Sequence, residues 1–571
     1  MNNRSAVFEL ETRCLSSLVK VFPDEEPAAG RYGSGSALRG EAYSFQVAYR
    51  TPELTRGASV RVELSSPGWR GKLSVREVGL APSQLPCYGD PDDGVLRGKP
   101  GLFPDPLLPL GDGGRLKVPP RQWRALWIEA VADAGELPGV HAISVAFLSE
   151  EGATIAKETF ALEVLPLELP EQELLHTEWF HADCLATHYG VDVFSERHWE
   201  LIEAYIATAS AHGVNMLLTP LFTPPLDTAV GGERPTVQLV DVTLGRDGKY
   251  AFGFEKLTRW IGMAERAGIR FFEFSHLFTQ WGAKHAPKIE VLEEGAAERT
   301  KRTKRFGWHT DAAGDEYGEF LAQFLPAIAA YVREHGLADR VYFHVSDEPR
   351  EEHLEPYRIA SERLRRHVGG LPVLDALSDF SFYERGLVSR PVAANDHIEP
   401  FLEAGVPELW TYYCCVQYKE VANRFFDMPS ARSRILGAQL YKFGLKGFLH
   451  WGYNFWYSHY SLRAVNPYET TDADCAFPSG DAFLVYPGEE GPVESIRLKV
   501  VREALQDLRA LRLLERLAGR EETLRLLEDG LGEPLTFRAY PRGDAWLLER
   551  RERINRALRD RLDSNEFRLK P

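Results

Sequence analysis

The chain has no apolar run long enough to cross a membrane, and its first residues, MNNRSAVFELETRCLSS, lack the unbroken apolar stretch of a secretory leader. Cysteine is scarce: six residues, at positions 14, 87, 184, 414, 415 and 475, with no Cys-x-x-Cys pair among them. That spacing offers neither a zinc site nor a thioredoxin-type redox pair, and it suits reduced thiols in a cytoplasm better than a disulfide framework. No glycine-rich phosphate loop follows any segment that reads as a strand, which argues against an open nucleotide-binding sheet. Positive charge is in deficit, 67 Lys and Arg against 83 Asp and Glu, for a net charge of −16. A surface of that sign repels phosphate backbones, so neutral or cationic small substrates fit better than nucleic acid. The expectations are a cytoplasmic protein with no membrane or nucleic-acid partner, no metal and no cofactor. A homo-oligomer is left open.

What is present is patterned in three blocks. Residues 1–168 read as all-β: short alternating runs such as Tyr43-Ser44-Phe45-Gln46-Val47-Ala48-Tyr49 and Ser59-Val60-Arg61-Val62-Glu63-Leu64 recur between Gly and Pro clusters, as in a β-sandwich. Residues 169–494 alternate strand and helix. Apolar strands are predicted at 177–183, 215–221, 270–278, 340–346, 372–378, 391–395, 408–415 and 447–456, and helices at 196–212, 254–267, 316–334, 353–367 and 429–443. Eight such strands predict a (β/α)₈ TIM-type barrel, an α/β fold whose active site lies at the carboxyl ends of its strands. Two connections on that side are long. One carries a hairpin about Asp247-Gly248; the other, 279–315, holds Trp281, the basic run Lys301-Arg302-Thr303-Lys304-Arg305, Trp308 and His309. A basic run of this kind is more often a solvated face than a binding patch. Residues 495–571 read as a C-terminal helical extension, opening with an amphipathic helix through Ile496, Leu498, Val501, Leu505, Leu508 and Leu511.

The strongest chemical signal is Tyr342-Phe343-His344-Val345-Ser346-Asp347-Glu348-Pro349, an apolar strand running into two neighbouring acids. Two close carboxyls cannot both ionise cheaply, so one retains a proton near neutral pH beside an ionised partner, as glycosidic cleavage requires. A helix cap or an ion pair with Arg350 would explain the same residues without chemistry. Strand alternation puts Glu348 and Asp347 on opposite faces, so both reach one pocket only if the backbone twists there. The second signal is His450-Trp451-Gly452-Tyr453-Asn454-Phe455-Trp456-Tyr457, dense in rings on which pyranose faces stack; ordinary packing is the alternative. Other strand ends add Trp179, His181, His276, His344, Asp396, Tyr412 and Tyr413. Singly each is more often a structural residue, and only convergence at one rim would make them a site. Together with Trp451, Asn454 and Trp456 they are the candidate substrate-binding residues, with Asp347 and Glu348 as the catalytic pair.

At this point the sequence resembles glycoside hydrolase family 123 and the related proteins carrying domain of unknown function 4091. The likeness rests on the Asp-Glu-Pro strand, the Trp-Gly-Tyr-Asn-Phe-Trp run, Tyr486-Pro487-Gly488, the Glu494–Asp507 segment and the N-terminal Phe103-Pro104-Asp105-Pro106 pattern, and it covers roughly residues 40–517. The resemblance implies an N-terminal sandwich, a catalytic barrel and a retaining β-N-acetylgalactosaminidase that uses the substrate's own 2-acetamido group as nucleophile. In that scheme Glu348 protonates the leaving oxygen and later activates water. Asp347 orients the acetamido nitrogen and stabilises the oxazolinium intermediate, and a tyrosine, with Tyr413 as candidate, positions the acetamido carbonyl. A hydrolase of a non-acetamido glycoside and a non-catalytic carbohydrate-binding protein are the alternatives.

Overall fold

In this computed structural model the described residues are 9–52, 59–294 and 300–568. The N-terminal region is β-rich. One five-stranded sheet, in the spatial order Glu11–Ser16, Ala42–Arg50, Arg124–Val131, Lys72–Ser83 and Gly101–Leu108, faces another made of Ser34–Arg39, Thr154–Glu168, Gly139–Leu148, Ser59–Ser65 and Arg115–Lys117. The alternating pattern puts Phe45, Val47, Leu126 and Ile128 of the first sheet against Val60, Ile143, Phe147 and Phe160 of the second, in one buried cluster.

Eight short strands follow, all parallel: Leu175–Glu178, Met216–Thr219, Phe271–Phe274, Val341–Phe343, Leu374–Leu377, Arg390–Ala394, Trp410–Tyr412 and Gly447–His450. They pair in the order 4-3-2-1-8-7-6-5, and the two end strands meet at a parallel bridge between Phe343 and Val373, so the sheet curls into a nearly closed barrel. Burial on both faces explains why these strands read as continuous apolar runs. Met216, Leu218, Tyr342, Leu374, Ala376, Val392, Trp410 and Leu449 form a cluster of their own along the strands. Gly447 is required there, because a Cβ at that position would fall 2.0 Å from the Trp410 indole.

Several elements differ from their predicted extents. The first strand ends at Glu178, and a helix absent from the sequence reading, Ala182–Tyr189, begins almost at once. The eighth ends at His450, so the aromatic run from Trp451 to Tyr457 lies in the loop beyond it. The hairpin about Asp247-Gly248 is present as Asp241–Leu244 and Tyr250–Gly253, and it pairs with a second hairpin, Ile289–Glu294 and Thr300–Phe306, in one four-stranded sheet. The basic run sits on the last of these strands, where Arg302 meets Glu290 at 3.7 Å, Arg305 meets Glu316 at 2.5 Å, and Lys304 meets Glu233. Those charges are matched by acids of the chain itself. The long helix Ile496–Ala518 starts at Ser495, whose hydroxyl accepts the Leu498 N–H at 3.1 Å. Among the described residues no helix is long and apolar enough to cross a membrane.

Candidate active site

The fourth strand stops at Phe343, and from there the chain bends toward the barrel mouth. Glu348 adopts a left-handed backbone, φ 43°, which a non-glycine residue holds only when its surroundings impose it. Two backbone bonds do so: the Glu348 N–H donates to the Ala376 carbonyl at 3.1 Å, and the Trp281 N–H donates to the Asp347 carbonyl at 3.0 Å. This twist answers the alternation problem, since both Asp347 and Glu348 line the same cleft.

That cleft encloses about 110 Å³ at the carboxyl ends of the strands. Its walls are Trp179, Trp281, Trp451 and Phe477, with Tyr412, Gln280, Asp227, Cys414, Cys415 and His459 supplying polar groups. Among the described residues that line it, none is lysine or arginine. A larger groove, of about 520 Å³, opens at the opposite end of the barrel, but its charges neutralise one another: Lys499 sits 3.0 Å from Glu129 and 2.8 Å from Glu494, and Arg502 pairs with Glu129.

Burial raises Glu348 above the usual carboxylate range, while the Tyr412 hydroxyl, Arg350 and the Trp281 side chain draw it back. Tyr412 donates to Glu348 Oε1 at 2.7 Å. Asp347 is raised further, first by burial and then by the neighbouring Glu348 charge. Both carboxyls are thus pushed toward the protonated form, and the neighbouring charge ties the titration of one to the other. Two groups favour charge on Asp347: Gln280 Nε2, which donates to its Oδ2 at 3.2 Å, and the buried His344. His344 is held between acids, Nε2 on Glu273 and Nδ1 3.2 Å from Asp375, which push its pKa to about 9 against the opposing effect of burial.

The predicted site residues divide accordingly. Trp179, Tyr412 and Trp451 line the cleft, with the Trp179 indole fixed on Glu273 at 2.7 Å and that of Trp451 on Asp481 at 2.9 Å. The others stand behind it. His276 and His344 are buried and stack on each other, ring centres 4.2 Å apart. With Asp375 they are close enough to hold a metal ion, but both His344 nitrogens already face carboxylates, which suits a proton rather than a metal. His181 and Asp183 join Arg234 in a buried network, Asp183 binding the guanidinium at 2.7 Å through each oxygen. Asn454 brackets the His181 backbone, accepting its N–H at 2.9 Å and donating to its carbonyl at 3.1 Å. Trp456 packs on Tyr205 and donates to the Val485 carbonyl. Asp396 is occupied by Gln417 and His397 and reaches the site only as a charge that raises Glu348. Tyr413 follows Tyr412, so its side chain takes the opposite face and packs on Phe448 and His450.

Asp227 escaped the sequence reading. It lies in an irregular stretch after the second strand, at φ 39°, and no local pattern marks it. It is 8% exposed and lines the cleft; its Oδ2 accepts the Tyr460 N–H at 3.1 Å, its own N–H donates to Gln280, and burial lifts its pKa to about 7. Gln280 thus touches two of the three acids in the cleft.

A nearly closed parallel barrel carrying paired carboxyls in an aromatic-walled cleft, at the carboxyl ends of its strands, is the working part of a glycoside hydrolase. Residues 179–514 match the family model for the glycoside hydrolase 123 catalytic domain, and the chain belongs to glycoside hydrolase family 123. Its structure is similar to that of a family 123 glycoside hydrolase from Clostridium perfringens, with a TM-score of 0.71 and 16% identity over 98% of this chain and 99% of that one. Fainter likenesses link it to a β-glucuronidase from Parabacteroides merdae (TM-score 0.31, 11% identity, 87% of this chain and 51% of that one) and an endo-β-1,4-mannanase from Thermotoga petrophila (0.32, 12%, 60% and 77%). No curated protein sequence matched the chain at a significant level.

Proposed function

We propose that the barrel is a (β/α)₈ catalytic domain that releases β-linked N-acetylgalactosamine with retention, using the sugar's own acetamido group as nucleophile. The observation carrying this reading is that the two acids are consecutive residues lining one cleft. Consecutive side chains approach a pyranose from the same side. They cannot flank the ring as an acid and an enzymic nucleophile must in the ordinary retaining scheme. In the proposed reaction the acetamido oxygen attacks C1 as the glycosidic C1–O bond breaks, and the Glu348 proton passes to the departing oxygen. Asp347 accepts the acetamido N–H, which adds to Gln280 and His344 in favouring its ionised form and leaves the proton of the pair on Glu348, and it balances the positive charge of the oxazolinium ring. Glu348, now ionised, takes a proton from water, which attacks C1 and opens the ring with the β configuration restored. Tyr412, bonded to Glu348, keeps the acid aimed. The absence of lysine and arginine from the described lining suits a neutral sugar over a uronic or sulfated one.

The test compares chromogenic β-N-acetylgalactosaminide, β-N-acetylglucosaminide and β-galactoside, with NMR of the first-formed anomer. The expected result is cleavage of the N-acetylgalactosaminide with β product first; hydrolysis of the plain galactoside at a similar rate would sink the proposal. Glu348→Gln should lower kcat roughly 10²–10⁴-fold and Asp347→Asn about 10²–10³-fold, both with unchanged thermal melting.

Asp227 favours a second reading, in which a third carboxyl serves as enzymic nucleophile on a non-acetamido glycoside. Its pKa of about 7 leaves much of it protonated at neutral pH, which makes it a poor nucleophile. Asp227→Asn keeps an oxygen acceptor for Tyr460, so activity should stay within roughly tenfold of wild type. Abolition would favour the second reading.

A further inference from the structure

We propose that Trp281 and Tyr460 form a subsite for the leaving group, one that takes a ring with an apolar face, such as the second pyranose of an oligosaccharide. The inference rests on the reading of Glu348 as the acid. A general acid protonates the oxygen that departs, so the leaving group must sit against whatever surface adjoins that acid on its outward side. Here that surface is the Trp281 indole, whose polar edge contacts the Glu348 carboxyl and whose backbone N–H holds the Asp347 carbonyl at 3.0 Å.

Two large rings stand in water at this edge. Trp281 is 36% exposed and Tyr460 38%, and they meet edge to face with centres 5.8 Å apart. Tyr460 in turn stacks on the His459 ring at 3.7 Å, and His459 lines the cleft. Both aromatic residues are held in left-handed backbone, φ 57° each, a conformation bulky side chains avoid. The chain secures this arrangement from a separate loop: the Tyr460 N–H donates to Asp227 Oδ2 at 3.1 Å, the Tyr460 carbonyl accepts the Ala229 N–H at 3.0 Å, and the Ser461 hydroxyl donates to the Asp227 carbonyl at 2.6 Å. Folding alone gives no reason to hold two rings in strained backbone with more than a third of each residue in water. Presenting flat apolar surface beside the acid does give one, and pyranose rings carry C–H faces that stack on such surfaces.

The test measures kcat/KM on two substrates with the same glycon, a β-N-acetylgalactosaminyl-galactose disaccharide and the methyl β-N-acetylgalactosaminide. Both demand a proton from Glu348, but only the first brings a ring. Tyr460→Ala should lose about three- to tenfold more on the disaccharide than on the methyl glycoside, and Tyr460→Phe, which keeps the ring, should restore the ratio. Trp281→Phe should slow both substrates by a common factor, since it removes the indole contact to Glu348 and keeps a ring. Equal losses on both substrates in Tyr460→Ala, or no loss on either, would overturn the subsite. Should the wild type cleave no β-hexosaminide, the functional reading itself fails. The subsite is then decided by NMR titration with methyl β-galactoside: binding weakened in Tyr460→Ala upholds it, and identical binding overturns it.

Discussion

His344 shows how one residue can shape the site without touching a substrate. It is fully buried beneath the acid pair, between Glu273 and Asp375, and Asp375 is itself bonded by the Tyr357 hydroxyl. The two carboxylates make the folded protein hold the imidazole proton to about pH 9, whereas a histidine in the unfolded chain gives it up near 6.5. The folded state therefore gains from this group in full below about pH 6.5, and the gain is lost as pH rises from there to about 9. At 1.36 kcal/mol per unit the contribution is on the order of 3 kcal/mol. Urea unfolding across this range should find His344→Gln less stable than wild type at pH 6, with the two curves converging by pH 9. A difference that does not change with pH would mean that His344 is neutral in the folded protein. Its charge also bears on catalysis, because it favours an ionised Asp347.

At the scale of elements, sequence patterns revealed what local chemistry determines. Buried parallel strands announce themselves as apolar runs, and the turn at Asp247-Gly248 is set by Gly248, whose φ of 78° the residue tolerates freely. The acid pair was legible because a strand led into it. What stayed hidden depends on long-range contacts. That Thr243 pairs with Leu292, joining two hairpins into one sheet, has no trace within either segment. No local pattern marks Arg234, yet it is buried against Asp183 and donates to the Leu226 carbonyl at 3.1 Å, which fixes the stretch carrying Asp227. The rings at the rim, Trp281 and Tyr460, sit in strained backbone imposed by neighbouring loops, and no propensity would assign them there. Likewise His181 and Asn454, plausible sugar ligands by type, are taken up in binding the first strand's end to the loop after the eighth, and the Trp456 indole is spent on the Val485 carbonyl.

On the scale of the molecule, the last helix, Asp544–Arg568, matters more than its sequence suggests. Composition alone, rich in Leu, Arg and Glu, describes a helical appendage. In the fold it ties the N-terminal sheets to the helix that follows the barrel: Arg551 reaches Glu41 at 2.6 Å and Asp507 at 3.0 Å, Glu552 accepts the Ser36 hydroxyl at 2.7 Å, and Asn555 donates to the Ser36 carbonyl at 3.1 Å. Asp507 also binds Arg434, which ends the short helix Ser430–Arg434 ahead of the eighth strand. Arg551 and Glu41 are each 5% exposed at the side chain, so removing the arginine strands a carboxylate away from water. Breaking a buried pair from one side costs about 3–5 kcal/mol. Arg551→Met should therefore lower unfolding free energy by roughly that amount in urea, while the double variant Arg551→Met with Glu41→Gln should recover much of it, since no unpaired charge remains. The cleft lies at the far ends of the barrel strands, so kcat at temperatures well below melting should be unchanged in both. A loss of activity in the folded single variant would mean instead that the tail reaches the site through the barrel, and equal stability of all three proteins would return the helix to the status of an appendage.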